Sequence, residues 1–223
     1  MMLKQRFQNE DGNIALFVLG MLSLIMILLI FVVNLGGALA TKEQSGTTVQ
    51  QASMAASSVL YEEVQRVVYE YEDETLEGAL QTFFEDIDQM VDERVEELSS
   101  MGNYADWTSN EIELEAFDQV LSEELNKDVV RSKLIELLED EDIETEVINT
   151  TKNAIVANEG VLEGAQLTIR NDRFHVRAAN ELESVSFDGY MEGIQENVYQ
   201  ESAGPKIDFL DVVWDGDQVI ALD

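Results

Sequence analysis

IALFVLGMLSLIMILLIFVV, residues Ile14 to Val33, is a run of twenty residues without a charge. At a rise of about 1.5 Å per residue, a helix of that length reaches about 30 Å, the thickness of a hydrocarbon core. Leucine, isoleucine, methionine and valine fill it, and Gly20 and Ser23 are tolerated because a helix satisfies its own backbone groups. The run predicts one transmembrane helix over residues 13–35, with Ile14, Leu16, Phe17, Leu22, Ile25, Leu28, Ile30 and Val33 as its anchoring side chains. A secretory signal peptide is the main competitor. Ala38-Leu39-Ala40 has the small-x-small form that permits cleavage after Ala40, but the apolar core of such a peptide is about 7–15 residues, shorter than this one. On length, the span is read as retained.

The flanks orient it. Lys4 and Arg6 precede the span and Lys42 follows it, so the excess of basic charge lies before it and the short leader, residues 1–12, is expected in the cytoplasm. Everything beyond is then extracytoplasmic. Lys4, Arg6 and Lys42 cancel Glu10, Asp11 and Glu43, so the whole formal charge of −33 belongs to the chain after Glu43. Such a field repels phosphates and anionic headgroups, which excludes nucleic acid as a partner. It also suits a solvated surface that resists aggregation. The chain contains no cysteine, so the outer part must be held by packing rather than by disulfides.

Beyond the membrane the expected class is α+β: a helical region followed by a small antiparallel sheet. Residues 36–71 read as a juxtamembrane helix, weakened near Gly46, in which Ala52, Ala55, Ala56 and Val59 form a small-residue stripe suited to close helix packing. Residues 72–140 read as an acidic helical region. It contains an amphipathic helix from Thr75 to Ser100, a third helix opened by the capping-box pair Thr108 and Glu111, and a fourth over 128–138. Residues 141–223 read as β-rich. Val161 to Ile169 and Phe174 to Ala178 flank the turn Asn171-Asp172, and Glu183 to Phe187 extends the second strand or starts a third. Ile207 to Trp214 and Gln218 to Leu222 flank Asp215-Gly216 as a second hairpin. Pro205, the only proline, follows Gly204 in the loop before it.

Residues that carry chemistry are few. His175 is the single histidine, and without cysteines or further histidines it cannot build the usual zinc site. No serine has a G-x-S-x-G context, so a serine–histidine nucleophile has no support. Glu72-Asp73-Glu74 and Glu139-Asp140-Glu141-Asp142 are the densest carboxylate runs. A calcium loop starting at Asp140 would place Thr145 and Thr151 where glycine and glutamate are required. Weak divalent-cation binding is compatible with these runs, but solvated helix ends explain them better. No cofactor motif is present, and no enzyme activity is expected. Trp107 and Trp214 are read as core residues.

Glu10-Asp11-Gly12, the apolar span, Val33-Asn34-Leu35-Gly36, Lys42 to Gln44 and Gln50-Gln51-Ala52-Ser53-Met54-Ala55-Ala56-Ser57 together resemble the TadE/TadG-like proteins of Flp (Tad) pilus assembly. The resemblance covers about the first sixty residues. It implies a single-pass cell-membrane protein, minor pilin-like or accessory, in a pilus or secretion apparatus. It also implies partners among envelope or pilus-assembly proteins reached through helix packing, with a homo-oligomer compatible. Gly12 is the position at which a prepilin peptidase would cut, but the fifth residue after it is Phe17, where a filament-forming pilin carries glutamate. The alternative from the residues alone is a single-pass extracytoplasmic sensor or regulator, which a leader of about twelve residues serves poorly.

Overall fold

The computed structural model describes residues 10–71, 76–139, 142–184, 195–214 and 216–223. The leader before Glu10, the run Glu72-Asp73-Glu74, the pair Asp140-Glu141, Asp215, and the strand extension from Val185 to Phe187 lie outside the described residues.

A single helix, α1 (Glu10–Glu70), runs through the span and on into the outer domain. Its 61 residues extend about 90 Å. The expected weakening at Gly46 does not occur, because the neighbouring Ser45 and Thr48 are fully buried where the rest of the chain packs on the helix. Four more helices follow: α2 (Ala79–Ser100), α3 (Ser109–Glu124), α4 (Asp128–Glu139) and α5 (Ile143–Ala157). In α2 the buried Phe83, Ile87, Val91 and Leu98 recur at helical spacing and form one apolar stripe. The sequence places its start at Thr75. The start is Ala79, because Gly78 takes φ 66°, a left-handed conformation that no helix continues. α3 opens as expected: Thr108 Oγ1 accepts the Glu111 N–H at 3.3 Å, and the Glu111 carboxylate accepts the Thr108 N–H at 2.7 Å.

The β-rich region begins with an unanticipated helix, α5. Ile143, Val147, Thr151 and Ile155 are its buried residues, four apart, so the helical period outweighs the β-branched composition. The sheet then comprises β1 (Gly160–Arg170), β2 (Arg173–Glu183), β3 (Gln195–Ala203) and β4 (Gln218–Ala221), antiparallel throughout in the order β3-β2-β1-β4. Asn171 (φ 51°) and Asp172 (φ 58°) form the expected two-residue turn, with Arg170 opposite Arg173.

The last expected hairpin is corrected. Ile207, Phe209, Leu210, Val212 and Trp214 are all buried, a pattern that a strand with one solvated face does not give. The stretch instead coils into a short helix, α6 (Leu210–Val213), and β4 pairs with β1, Leu167 opposite Ile220. Trp107 is also corrected. It is 42% exposed, against the edge of Tyr104, whereas Trp214 is buried on Phe174 as expected.

One hydrophobic core joins helices and sheet, with α1 as its spine. The segment of α1 from Ser45 packs against β2, β3 and α5. Further along, Tyr61 meets Phe209 and Phe117 edge to face, with ring centroids 5.4 and 6.4 Å away. The helical and β-rich portions are therefore sides of one core rather than separate lobes.

Candidate anchoring and docking site

The anchoring stretch is bare. None of its most apolar eighteen-residue window is buried within the protein. Ile14, Leu16, Phe17, Leu22, Ile25, Leu28 and Val33 are exposed, Phe17 by 71%, and Ile30 is half-buried. Ser23 donates to the Leu19 carbonyl at 2.9 Å, so its hydroxyl needs no water. Soluble proteins do not leave so long a continuous apolar surface uncovered. The buried core helix of a soluble protein, which passes the same length and composition test, is thereby excluded. What remains is one N-terminal helix able to anchor the chain in a membrane by a single pass, with the outer domain beyond it.

Burial begins at Ser45, where a polar lock fastens α1 to the sheet. Ser45 Oγ accepts the Asn180 N–H at 3.1 Å and donates to the Thr41 carbonyl at 2.8 Å. Thr48 Oγ1 donates to Asn180 Oδ1 at 2.9 Å, and Asn180 Nδ2 donates to the Asn158 carbonyl at 2.9 Å. Ser45, Thr48 and Asn180 are all buried, so breaking any one bond strands a polar group without water. Below this lock, towards the span, Leu182 of β2 reaches Gly37.

Close approach explains the small residues of α1. A Cβ at Gly204 would sit 2.6 Å from Ser57 Oγ and 2.9 Å from the Ser53 carbonyl oxygen. One at Gly160 would sit 2.9 Å from Thr48 Cγ2 and 2.8 Å from Ile155 Cγ2. Ala52 and Ala56 lie in the same seat with no exposed surface, while Ala55 and Val59 are half-buried. The first two therefore pack within the chain, against its own sheet and α5, rather than waiting open for a partner helix. Gly12 and Ala40, the two positions read as processing points, both lie inside the continuous helix, and Ala40 is exposed.

The outer domain carries two electrostatic features that composition hides. Asp118 on α3 is 3% exposed and accepts the Asp208 N–H with both oxygens, at 3.0 and 3.1 Å. Burial pushes its carboxyl up to about 7, with the nearby carboxylates of Asp208 and Glu115 adding to the rise. Tyr61, hydrogen-bonded to Asp118, is held far above the usual phenol range, first by burial and then by Asp118. The second feature is the face of the sheet turned away from α1. The β1–β2 register puts Arg170, Arg173, His175 and Arg177 there together, because Thr168 stands opposite His175 and Gln166 opposite Arg177. His175 Nε2 is buried with no hydrogen-bond partner among the described residues, and burial followed by Arg170 keeps the ring below its ordinary pKa and neutral. Among the described residues, no group of three or more His, Cys, Asp or Glu side chains is placed to hold a metal ion.

The span and the seat are contiguous on one helix. Residues 12–58 match the Tad family, Flp pilus-assembly TadE/G-like. No curated protein and no solved structure matches the chain. The TadE/G-like segment takes in the whole bare span and the α1 side of the polar lock, Ser45 and Thr48, and it ends at Ser58, just after Ser57, against which Gly204 is packed. Residues 59–223, with most of the helices and the whole sheet, lie outside it.

Proposed function

We propose that the chain is a structural or assembly component of a Tad/Flp-like pilus or secretion apparatus, held in the cell membrane by α1 with residues 1–12 in the cytoplasm. The observation that carries this reading is the coincidence of the TadE/G-like match, residues 12–58, with the bare span and the start of the seat on one uninterrupted helix. The division proposed is a leader (1–12), a span (13–35), a spine (36–71), an acidic helical region (72–140) and a sheet region (141–223). A rigid spine suits assembly work, because a domain seated on a continuous helix stands at a set height and orientation above the bilayer. With Ala52 and Ala56 taken up internally, contact with other envelope proteins falls to the span itself, to Ala55 and Val59, and to the exposed surface of the outer domain.

Retention of the N-terminus is part of the proposal. Phe17 occupies the place at which a filament-forming pilin carries glutamate, and this favours a helix that stays in the bilayer over one released after Gly12. Two measurements test the reading. Deleting the chain should abolish or shorten the surface fibres of its host while leaving the other membrane components in place, and fibres of normal number and length would overturn it. The mass of the mature protein should correspond to the uncleaved chain. A mass beginning at Asn13 or Thr41 would contradict retention.

A further inference from the structure

The uncharged part of α1 is longer than a hydrocarbon core. Between Asp11 and Lys42 no residue is charged, and a helix over this stretch, Gly12 to Thr41, extends about 45 Å, the thickness of a bilayer together with its headgroups. About 30 Å of that is hydrocarbon, so a headgroup layer of about 7 Å remains on each side. With the charged residues at its two limits, the outer layer covers about five residues of α1, from Gly37 to Lys42. Leu35 and Leu39, 63% and 61% exposed, are the last large apolar side chains that α1 leaves to lipid.

The sheet descends to the same level. Asn180 is locked to Ser45 and Thr48, and Leu182, two residues further along β2, lies about 7 Å lower, level with Thr41 and Lys42. Its side chain continues downwards: Leu182 Cδ1 would stand 3.9 Å from a Cβ at Gly37. β2 ends at Glu183, opposite Gln195 at the start of β3, so this is the membrane-side end of the β2–β3 ribbon. Leu182 is only half-buried there. One line of α1 is shielded below that contact as well. Ile30, Asn34 and Ala38, four residues apart, are half-buried while the residues between them are exposed.

We propose that the membrane-side end of the β2–β3 ribbon is a lipid-contacting surface, with Leu182 seated among the zwitterionic headgroups of the outer leaflet. The inference rests on the reading of residues 13–35 as a membrane span and adds a second attachment to it: the domain is held by α1 and again by the end of its sheet. An aliphatic side chain that is half-exposed in water gains by entering this layer. Glu181 and Glu183 beside Leu182, and Glu196 opposite it, are exposed, and the layer is hydrated enough to keep them charged. The same carboxylates select the lipid, because anionic headgroups repel them and zwitterionic ones present an ammonium group. A domain seated in this way cannot lean away from the bilayer without withdrawing Leu182, nor towards it without submerging the carboxylates. Its height and tilt are thereby set.

The test uses the full chain in phosphatidylcholine vesicles, with a fluorophore on a single cysteine replacing Leu24, Ser58 or Gln195, all three exposed, and a fixed fraction of nitroxide-bearing phosphatidylcholine as quencher. With the nitroxide on the headgroup, the label at 195 should lose about half of its emission or more, and the label at 58, about 24 Å above Lys42, should lose none. With the nitroxide on the acyl chain, the label at 24 should be quenched, which reports the span by itself. Leu182→Ala should lower the headgroup quenching at 195, and so should phosphatidylglycerol added at low salt. Quenching at 24 with position 195 no more quenched than position 58 would overturn the contact and leave the span standing. No quenching at 24 would overturn span and contact together. Quenching at 195 that ignores Leu182→Ala, or that rises with phosphatidylglycerol, would also overturn the proposal.

Discussion

At the residue scale, Asp118 is the most informative side chain, because a buried carboxylate among other carboxylates makes stability depend on pH. Its folded value, about 7, lies above the unfolded value of 3.8. The protonated form is therefore favoured in the folded state, and its stabilisation is complete below about pH 4 and is lost as pH rises through 7. Asp118→Asn keeps an acceptor for the Asp208 N–H and removes the charge. Relative to the native chain, its stability in denaturant should rise between pH 4 and pH 8 by roughly a few kcal/mol. Parallel pH profiles would contradict the assignment. No sequence pattern pointed to Asp118, because one carboxylate among 46 acidic residues carries no mark of its burial. Gly204 is legible only in part: the Gly204-Pro205 pair signalled a loop, but not that the loop backbone presses on Ser53 and Ser57. Gly204→Ala should destabilise the fold by about 1–3 kcal/mol, measured by thermal or urea unfolding, since the obstruction includes a helix backbone carbonyl. An unchanged midpoint would show that α1 can give way there.

At the element scale, the spine is the point on which sequence and structure agree most and differ most usefully. Its span, its length to about residue 70 and its small-residue stripe were all readable from periodicity. What occupies the stripe was not, because alanine and serine permit close approach by a sheet as readily as by a helix. The consequence is a position-specific contrast. Ala52→Leu and Ala56→Leu should each cost about 1–3 kcal/mol by overpacking the seat. Ala55→Leu, half-buried, should change stability by less than about 0.5 kcal/mol. Equal effects at all three positions, read from urea unfolding, would contradict the packing described. The elements missed have physical reasons. α5 is rich in isoleucine, valine and threonine, which favour strands locally, yet their four-residue recurrence places them on one helical face. β3, QENVYQESA, is polar with a single aliphatic apart from its terminal alanine, so it lacks the alternation that marks a strand; pairing with β2 defines it instead. Ile207 to Trp214 reads as a strand because it is densely apolar, but its exposed residues, Asp208 and Asp211, fall three apart, the spacing of a turn or helix rather than the alternation of a strand.

At the scale of the whole molecule, the separation of charge and hydrophobicity along the chain organises everything else. The apolar span is neutral with its flanks, the helical half carries much of the acidity, and the sheet gathers three of the arginines onto one face. A molecule so divided is fitted to stand in a membrane and to project a rigid domain beyond it. The fold class could be read from the sequence because hydrophobic periodicity is local. The arginine face could not, because it depends on the β1–β2 register and on which side of the sheet α1 covers. The central claim is that α1 carries the span and seats an exported domain on one helix. The natural absence of cysteine makes this directly measurable. Single cysteines replacing Gln8, in the leader, and Ser58, exposed on α1, are treated in intact cells with a membrane-impermeant maleimide. The account predicts labelling at position 58 in the membrane fraction and labelling at position 8 only after the membrane is permeabilised. Labelling at position 8 in intact cells, or recovery of the position-58 protein in the soluble fraction, would contradict it.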